Sequence, residues 1–192
     1  IVKWEPGDVQ VGEDDKIDNY VDAVVGDTEQ GPVWFYLSDD GNGIRELFYT
    51  PNWGDNWQYS EMPSVDDVYF SLFDQQDIYR AWAGTWAGMN IKIIIAWRAY
   101  QDGTVQIGEW DYTAFEYNSS DMSNIVADGV VEIKHNDTLL YTGVTSTDPE
   151  GNKFEGLEVD VMEGDIIYFI MDGENANKAT FTIDGVSVYY KG

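Results

Sequence analysis

Two short stretches of this chain hold large aromatic rings where turn-forming residues predominate. Tyr49-Thr50-Pro51-Asn52-Trp53-Gly54-Asp55-Asn56-Trp57-Gln58-Tyr59 sets two Trp and two Tyr among Pro, Gly, Asn and Asp. Tyr79-Arg80-Ala81-Trp82-Ala83-Gly84-Thr85-Trp86-Ala87-Gly88 places two further Trp four residues apart, among Ala and Gly. Both stretches read as loops, and loops run over the surface. Leaving a large apolar side chain exposed there forgoes about 1.5–3 kcal/mol of burial. Such a ring either meets a partner with a flat apolar face or plugs the margin of a sheet as a satellite core. Pyranose rings offer a face of axial C–H groups, which are drawn to the electron-rich face of an indole or phenol. Neighbouring amide, guanidinium and hydroxyl groups can then bond the sugar hydroxyls. Trp53, Trp57, Trp82 and Trp86 are the candidate stacking residues. Tyr59, Tyr79, Arg80, Asn56 and Gln58 are the candidate polar or secondary contacts. A third cluster runs from Trp110 to Tyr117 and alternates Trp110, Tyr112 and Ala114 against Asp111 and Thr113, so one of its faces could extend the same platform.

Other chemistry finds less support. Glycoside hydrolysis needs two carboxyl groups across a cleft, one with a raised pKa. With 36 acidic residues any pair is easily found, so abundance argues nothing. Glu109 and Glu116 have the best context, beside Trp110 and Tyr117, but their odd separation puts them on opposite faces of a continuous strand. No catalytic residue is assigned. The single His, His135, alternates with Ile133 ahead of a turn and reads as a solvated or core-edge side chain. Acid-rich turns could take calcium, whose shell is built from carboxylate and carbonyl oxygens. Asp172, Asn175 and Asn177 are the candidate ligands of one structural Ca²⁺, beside similar turns at Asp39–Asn42 and Asp148–Asn152. No cofactor is required.

These residues must be positioned by strands. The apolar runs are short, rich in Val, Ile, Tyr, Phe and Thr, and bounded by turn residues. They fall at Val21–Val25, Val33–Ser38, Ile44–Tyr49, Val68–Phe73, Ile91–Tyr100, Thr104–Trp110, Thr113–Tyr117, Gly129–His135, Thr138–Thr142, Leu157–Met162, Asp165–Met171, Ala179–Ile183 and Val186–Tyr190. Asp39-Asp40-Gly41, Asp102-Gly103, Asn136-Asp137, Glu163-Gly164-Asp165 and Asp184-Gly185 supply the positive φ of tight hairpins. Leu157, Val159 and Val161 alternate with Glu158 and Asp160 as in a half-buried antiparallel strand. Ile91, Ile93, Ile95, Trp97 and Ala99 make one apolar face, with Lys92 and Arg98 on the other. Ile166 to Met171 is apolar on both faces and reads as a central strand. Strand aromatics such as Phe35, Tyr36, Phe70, Phe73, Trp97, Tyr168, Phe169 and Phe181 are expected in the core. Ser120–Asp128 is the best candidate for a short helix. About a dozen strands with turns at this spacing predict an all-β antiparallel β-sandwich, of jelly-roll type. One domain over residues 1–192 is the economical reading, with 1–18 as a mobile lead-in.

Composition narrows the partners. Ten Lys and Arg against 36 Asp and Glu give a net charge of −26, which repels nucleic acid, anionic membranes and polyanionic sugars. Absent Cys removes disulfides, thiolate metal sites and a Cys nucleophile, and one His removes zinc sites built on several imidazoles. No run approaches the roughly 18 apolar residues of a membrane-spanning helix. Eight Trp, thirteen Tyr and eight Phe are ample for a core, so the charge does not imply disorder.

Several segments carry a family likeness. Gln30-Gly31, Trp34-Phe35-Tyr36 and Ser38-Asp39-Asp40-Gly41 are followed by Ala96-Trp97-Arg98-Ala99 and Asp102-Gly103-Thr104-Val105. Asp128-Gly129-Val130-Val131-Glu132-Ile133 and Glu163-Gly164-Asp165-Ile166-Ile167-Tyr168-Phe169-Ile170 complete the series. In that order, over roughly Gln30 to Gly192, the chain resembles the jelly-roll modules appended to secreted glycoside hydrolases and surface proteins of Gram-positive gut and rumen bacteria. The resemblance implies a non-catalytic carbohydrate-binding module, secreted or at the cell surface, monomeric, covalently linked to a catalytic module. Its ligand would be a neutral plant cell-wall polysaccharide such as xylan, β-glucan or mannan. The matched motifs are scaffold pieces and carry over no ligand residue. Two other readings stand beside it: a small jelly-roll glycoside hydrolase, and a protein-binding domain of a surface adhesin.

Overall fold

The structure is a computed structural model that describes residues 2–3, 34–41, 44–50, 55–58, 69–75, 78–86, 91–118, 123–126, 129–145, 152–173, 178–184 and 186–191. Every strand pairing among them is antiparallel, and they form three sheets. The four-stranded sheet joins β1 (Val2–Lys3), β18 (Ser187–Tyr190), β9 (Gly103–Ile107) and β15 (Leu157–Val161), in that order. The six-stranded sheet runs β13 (Thr138–Val144), β12 (Val130–His135), β16 (Ile166–Asp172), β8 (Lys92–Arg98), β2 (Trp34–Asp39), β3 (Ile44–Glu46). The eight-stranded sheet runs β11 (Ser123–Val126), β10 (Trp110–Asn118), β17 (Lys178–Asp184), β7 (Ile78–Trp86), β6 (Tyr69–Gln75), β5 (Asp55–Gln58), β4 (Phe48–Thr50). β14 (Asn152–Phe154) adds to β10 beside β11. No helix of the described residues is long and apolar enough to cross a membrane.

The architecture is the expected antiparallel sandwich. One buried cluster takes Ile93, Ile95, Trp97, Ile133, Ile167 and Phe169 from the six-stranded sheet, and Tyr112, Ala114, Phe181 and Ile183 from the eight-stranded sheet. Val105, Ile107, Val159 and Val188 of the four-stranded sheet close the same core. Alternation in sequence is what allows this, since each strand offers a face of Val, Ile or an aromatic every second residue. β16 is buried along both faces and lies third from one edge of its sheet, as its unbroken apolar run requires. Its second face joins Phe35, Leu37, Ile44, Ile94 and Ala96 in a separate cluster.

Arg98 departs from expectation. The alternation puts it opposite Trp97, but that face is buried too, and Arg98 is only 2% exposed. Its guanidinium lies 5.4 Å from the centre of the Phe35 ring. The planar, weakly hydrated head suits such a seat better than an ammonium would. Lys92, at the other end of β8, instead reaches Asp172 at 3.6 Å.

Five strands were not anticipated: β1, β5, β7, β11 and β14. The helix expected at Ser120–Asp128 is absent where the chain is described, because Ser123–Val126 is a strand. Its β-branched Ile125 and Val126 pair with Glu116 and Phe115 of β10, and sheet pairing outweighs a helix too short to nucleate alone. The strand expected at Val21–Val25 lies outside the described residues, as does nearly all of the proposed lead-in. Turn chemistry behaves as expected: Asn136 takes a φ of 49° in the β12–β13 hairpin, and Gly41 and Gly164 take 82° and 91°.

A polar clasp fixes that hairpin to the start of β16. His135 Nε2 and Asp165 Oδ2 are 2.8 Å apart, and Asn136 Nδ2 donates to Asp165 Oδ1 at 3.0 Å. Met162 N–H donates to Asp165 Oδ2 at 2.9 Å, and Ile166 N–H donates to Asn136 Oδ1 at 2.9 Å. Partial burial alone would push the Asp165 carboxyl up. The bonds from Met162, Asn136 and His135 outweigh it and hold the group below the ordinary 3.8. A carboxyl depressed on folding contributes stability that is complete above its unfolded pKa and is lost as pH falls through the folded value. Asp165→Asn should therefore melt below wild type at pH 7, and the two melting temperatures should converge at pH 3.

Packing at the other end of this hairpin is close. Tyr112 and Tyr141 share a hydroxyl–hydroxyl bond of 2.7 Å beside Gly143, and a methyl group on Gly143 would fall on both oxygens. Gly143→Ala should destabilise the fold by about 1–3 kcal/mol through loss of that part-buried bond. Urea unfolding measures this directly.

Candidate functional site

The aromatic stretches expected as loops are largely strands. Asp55–Gln58 is β5 and Ile78–Trp86 is β7, so their side chains are distributed by strand alternation. Directly paired residues of an antiparallel sheet lie on the same face. Face membership can thus be followed across the eight-stranded sheet from strands whose burial is known. On β17, Ala179, Phe181 and Ile183 are buried at 1% exposure or less, while Thr180 and Thr182 are partly exposed. On β10, Tyr112 and Ala114 are buried, Thr113 and Phe115 are partly exposed, and Asp111 is exposed.

One cross-strand row runs Tyr49, Trp57, Phe70, Ala83, Phe181, Ala114, and its described end, Phe181 and Ala114, is buried. Two further rows flank it. The first is Thr50, Asn56, Ser71, Trp82, Thr182, Thr113. The second is Phe48, Gln58, Tyr69, Gly84, Thr180, Phe115, Val126. Beyond the first lies the row Phe73, Arg80, Asp184, Asp111, Lys153, and beyond the second Trp86 pairs with Lys178.

The register brings Trp82 into line with Asn56 of β5 through Ser71 of β6, pairs Arg80 with Phe73 and Trp86 with Lys178, and puts Trp57 in a different row, between Tyr49 and Phe70. Trp53 and Tyr59 lie outside the described residues. Tyr69, Ser71, Thr113, Phe115, Thr180 and Thr182 join these rows without having been anticipated, and the last four are partly exposed. The alternation Ala179-Thr180-Phe181-Thr182-Ile183 was the signal for Thr180 and Thr182.

The third aromatic cluster has one buried and one open face. Trp110 and Tyr112 are each 2% exposed and Ala114 is fully buried, so that face belongs to the core and extends no surface platform. The Trp110 ring packs at 6.0 Å from Phe169 and 5.1 Å from Tyr112. Burial is the main force raising the Tyr112 hydroxyl above the ordinary phenol value, with Tyr141 adding to it. Its opposite face, Asp111, Thr113 and Phe115, is the one that joins the outer rows.

Glu109 lies ahead of β10 and its carboxylate is 3.0 Å from Lys153 Nζ, a bond that raises the lysine's pKa. Glu116 shares the alternation of Tyr112 and Ala114, on the opposite parity. His135 is held in the clasp described above. Of the calcium candidates, Asp172 is engaged by Lys92 at 3.6 Å, and Asn175 and Asn177 lie outside the described residues. No group of three His, Cys, Asp or Glu among the described residues is placed to hold a metal ion.

No family model matches the chain, and no curated protein matches it. A solved structure described as "CBM4 structure and function" aligns with 63% of this chain and 89% of its own, at 14% identity and a TM-score of 0.39.

The face assignment has a direct consequence. Trp110→Ala, at a buried position of β10, should cost about 3–5 kcal/mol, the usual loss for a Trp removed from a core. Thr182→Ala should change stability by no more than about 0.5 kcal/mol, as at an open surface position. Chemical denaturation of the two variants checks both values.

Proposed function

We propose that this chain is a non-catalytic module that binds a neutral plant cell-wall polysaccharide, β-1,4-linked in the first instance, by stacking sugar rings on Trp82 and Trp86. The observation that carries the reading is the register of β7. It pairs Trp82 with partly exposed Thr182 and Trp86 with Lys178, and through Ser71 of β6 it aligns Trp82 with Asn56 of β5. Asn, Gln, Ser and Thr on the same face supply donors and acceptors for hydroxyl groups. Stacking without a buried charge fits modest affinity for several sugar units.

As a secreted or surface module of a bacterial protein, it would raise the local substrate concentration of a linked glycoside hydrolase. Chemistry would belong to that partner. The isolated chain should be monomeric and should release no reducing sugar from xylan, β-glucan or mannan.

Native affinity electrophoresis against xylan, mixed-linkage β-glucan, glucomannan, starch and pectin tests the reading, with and without EDTA. Retardation is expected in one or more of the neutral β-1,4-linked glycans, lost in Trp82→Ala with an unchanged melting temperature. A protein that migrates freely in every gel, or a Trp82→Ala variant that binds as wild type, would refute it. Loss of retardation in EDTA would assign a role to the calcium turn.

A further inference from the structure

We propose that β13, an edge of the six-stranded sheet, is a docking strand that takes an extended basic segment of another protein by β-strand addition. The site lies on a different sheet from the sugar face and does not depend on it.

An edge strand presents a row of N–H and C=O groups with no ladder partner, so proteins keep such edges short or charged. The other described edges follow that rule. β1, β3, β4, β11 and β14 have two, three, three, four and three residues. β15 has five, and its Glu158 and Asp160 are exposed. β13 breaks the rule. It runs seven residues, Thr138–Val144, pairs with β12 on one side, and among the described residues has no strand on the other. It contains no charged residue and no Pro, and the uncharged run continues to Thr147. Leu139 and Val144 are 52% and 53% exposed, and Thr138 and Thr142 are exposed as well. The register shift beside Ile133 and Lys134 lies at the hairpin end and leaves residues 141–144 in regular pairing.

The order of side chains suits a strand partner. Leu139, Thr142 and Val144 pair with Lys134, Glu132 and Val130, which alternate with buried Val131 and Ile133, so these three lie on the outer side of the sheet. A strand added alongside would set every second residue against them and bond the outward backbone groups of β13.

Charge selects the occupant. At a net charge of −26 a second copy is repelled, whereas a segment rich in Lys or Arg is drawn in. Asp137 is exposed at the tip of the hairpin, and partly exposed Glu132 flanks Thr142. A basic residue opposite Thr142 has the length to cross that short side chain toward Glu132. Lys134 flanks Leu139 instead, which favours an apolar residue at that point of the incoming strand. The fit is therefore to a segment that mixes Lys or Arg with Val, Ile or Thr.

The test is a titration of the intact chain with a fluorescent peptide alternating Val with Lys and matched in length to β13, read by anisotropy and by amide hydrogen exchange. Binding is expected, with exchange slowed in β13 and unchanged in β15. A peptide of the same charge with Pro at its centre should not bind, nor should one with Glu in place of Lys. Leu139→Lys and Val144→Lys, both at exposed positions, should each weaken binding by about tenfold or more with an unchanged melting temperature. Met162→Lys, at an exposed position outside β13, should bind as wild type. Absence of binding would overturn the proposal. So would equal binding of the Pro peptide, since charge alone would then explain the association, or equal binding of the Glu peptide. Slowed exchange in β15 but not β13, or wild-type affinity in both folded Lys variants, would overturn it too. A dimer of the free chain on size-exclusion chromatography, dissolved by Val144→Lys, would assign the edge to a second copy instead.

Discussion

Phe181 is fully buried and the threonines on either side of it are not. Hydrogen-bonded register carries that alternation from β17 into β7 and β10, and from β7 through β6 to β5 and β4. A slip of one residue would turn every side chain of a strand over, so each buried aromatic holds its outward neighbours in place as firmly as it holds itself. Ala114, buried opposite Phe181, leaves room for the large ring. The outer face inherits a fixed arrangement from this core and needs no interactions of its own to maintain it.

The six-stranded sheet supplies the support behind that face. It is buried on both sides along β16 and β8, and one side packs directly on the inward residues of the eight-stranded sheet. Trp97, Trp110, Tyr112, Phe169 and Phe181 fill the interface with rings whose area dominates burial. Arg98, 2% exposed with its guanidinium over the Phe35 ring, shows how thoroughly the second side is enclosed. A rigid, doubly packed sheet is a suitable mount for a ligand face whose affinity depends on flat rings held ready rather than ordered on binding.

Most of this fold could be read from period-two patterns. Leu157-Glu158-Val159-Asp160-Val161 and the apolar face of Ile91 to Ala99 announce their strands and their inward sides. The breaks in that legibility have identifiable causes. β5 and β7 are written in Asn, Gly, Ala and Trp, residues that suggest turns in isolation and become strand only because β6 and β17 flank them. Trp57 and Trp82 have the same local character, yet the register puts them in different cross-strand rows. The Trp110 cluster likewise shows alternation, but nothing local indicates which side faces the core. Tyr69, Ser71 and Thr180 enter the candidate site solely through pairing with distant strands, a relation that one sequence does not display. The residue types suited to sugars were visible; their common surface was not.

The central claim is that the outer face of the eight-stranded sheet is where a neutral glycan lies. Methyl-selective NMR measures this most directly, with neutral hexasaccharides titrated into protein labelled at threonine methyl groups. Shifts concentrated at Thr113, Thr180 and Thr182, with Thr138 and Thr142 of β13 unmoved, are the predicted result. Saturable binding that moves the β13 methyl groups and leaves those of β10 and β17 in place would contradict the account.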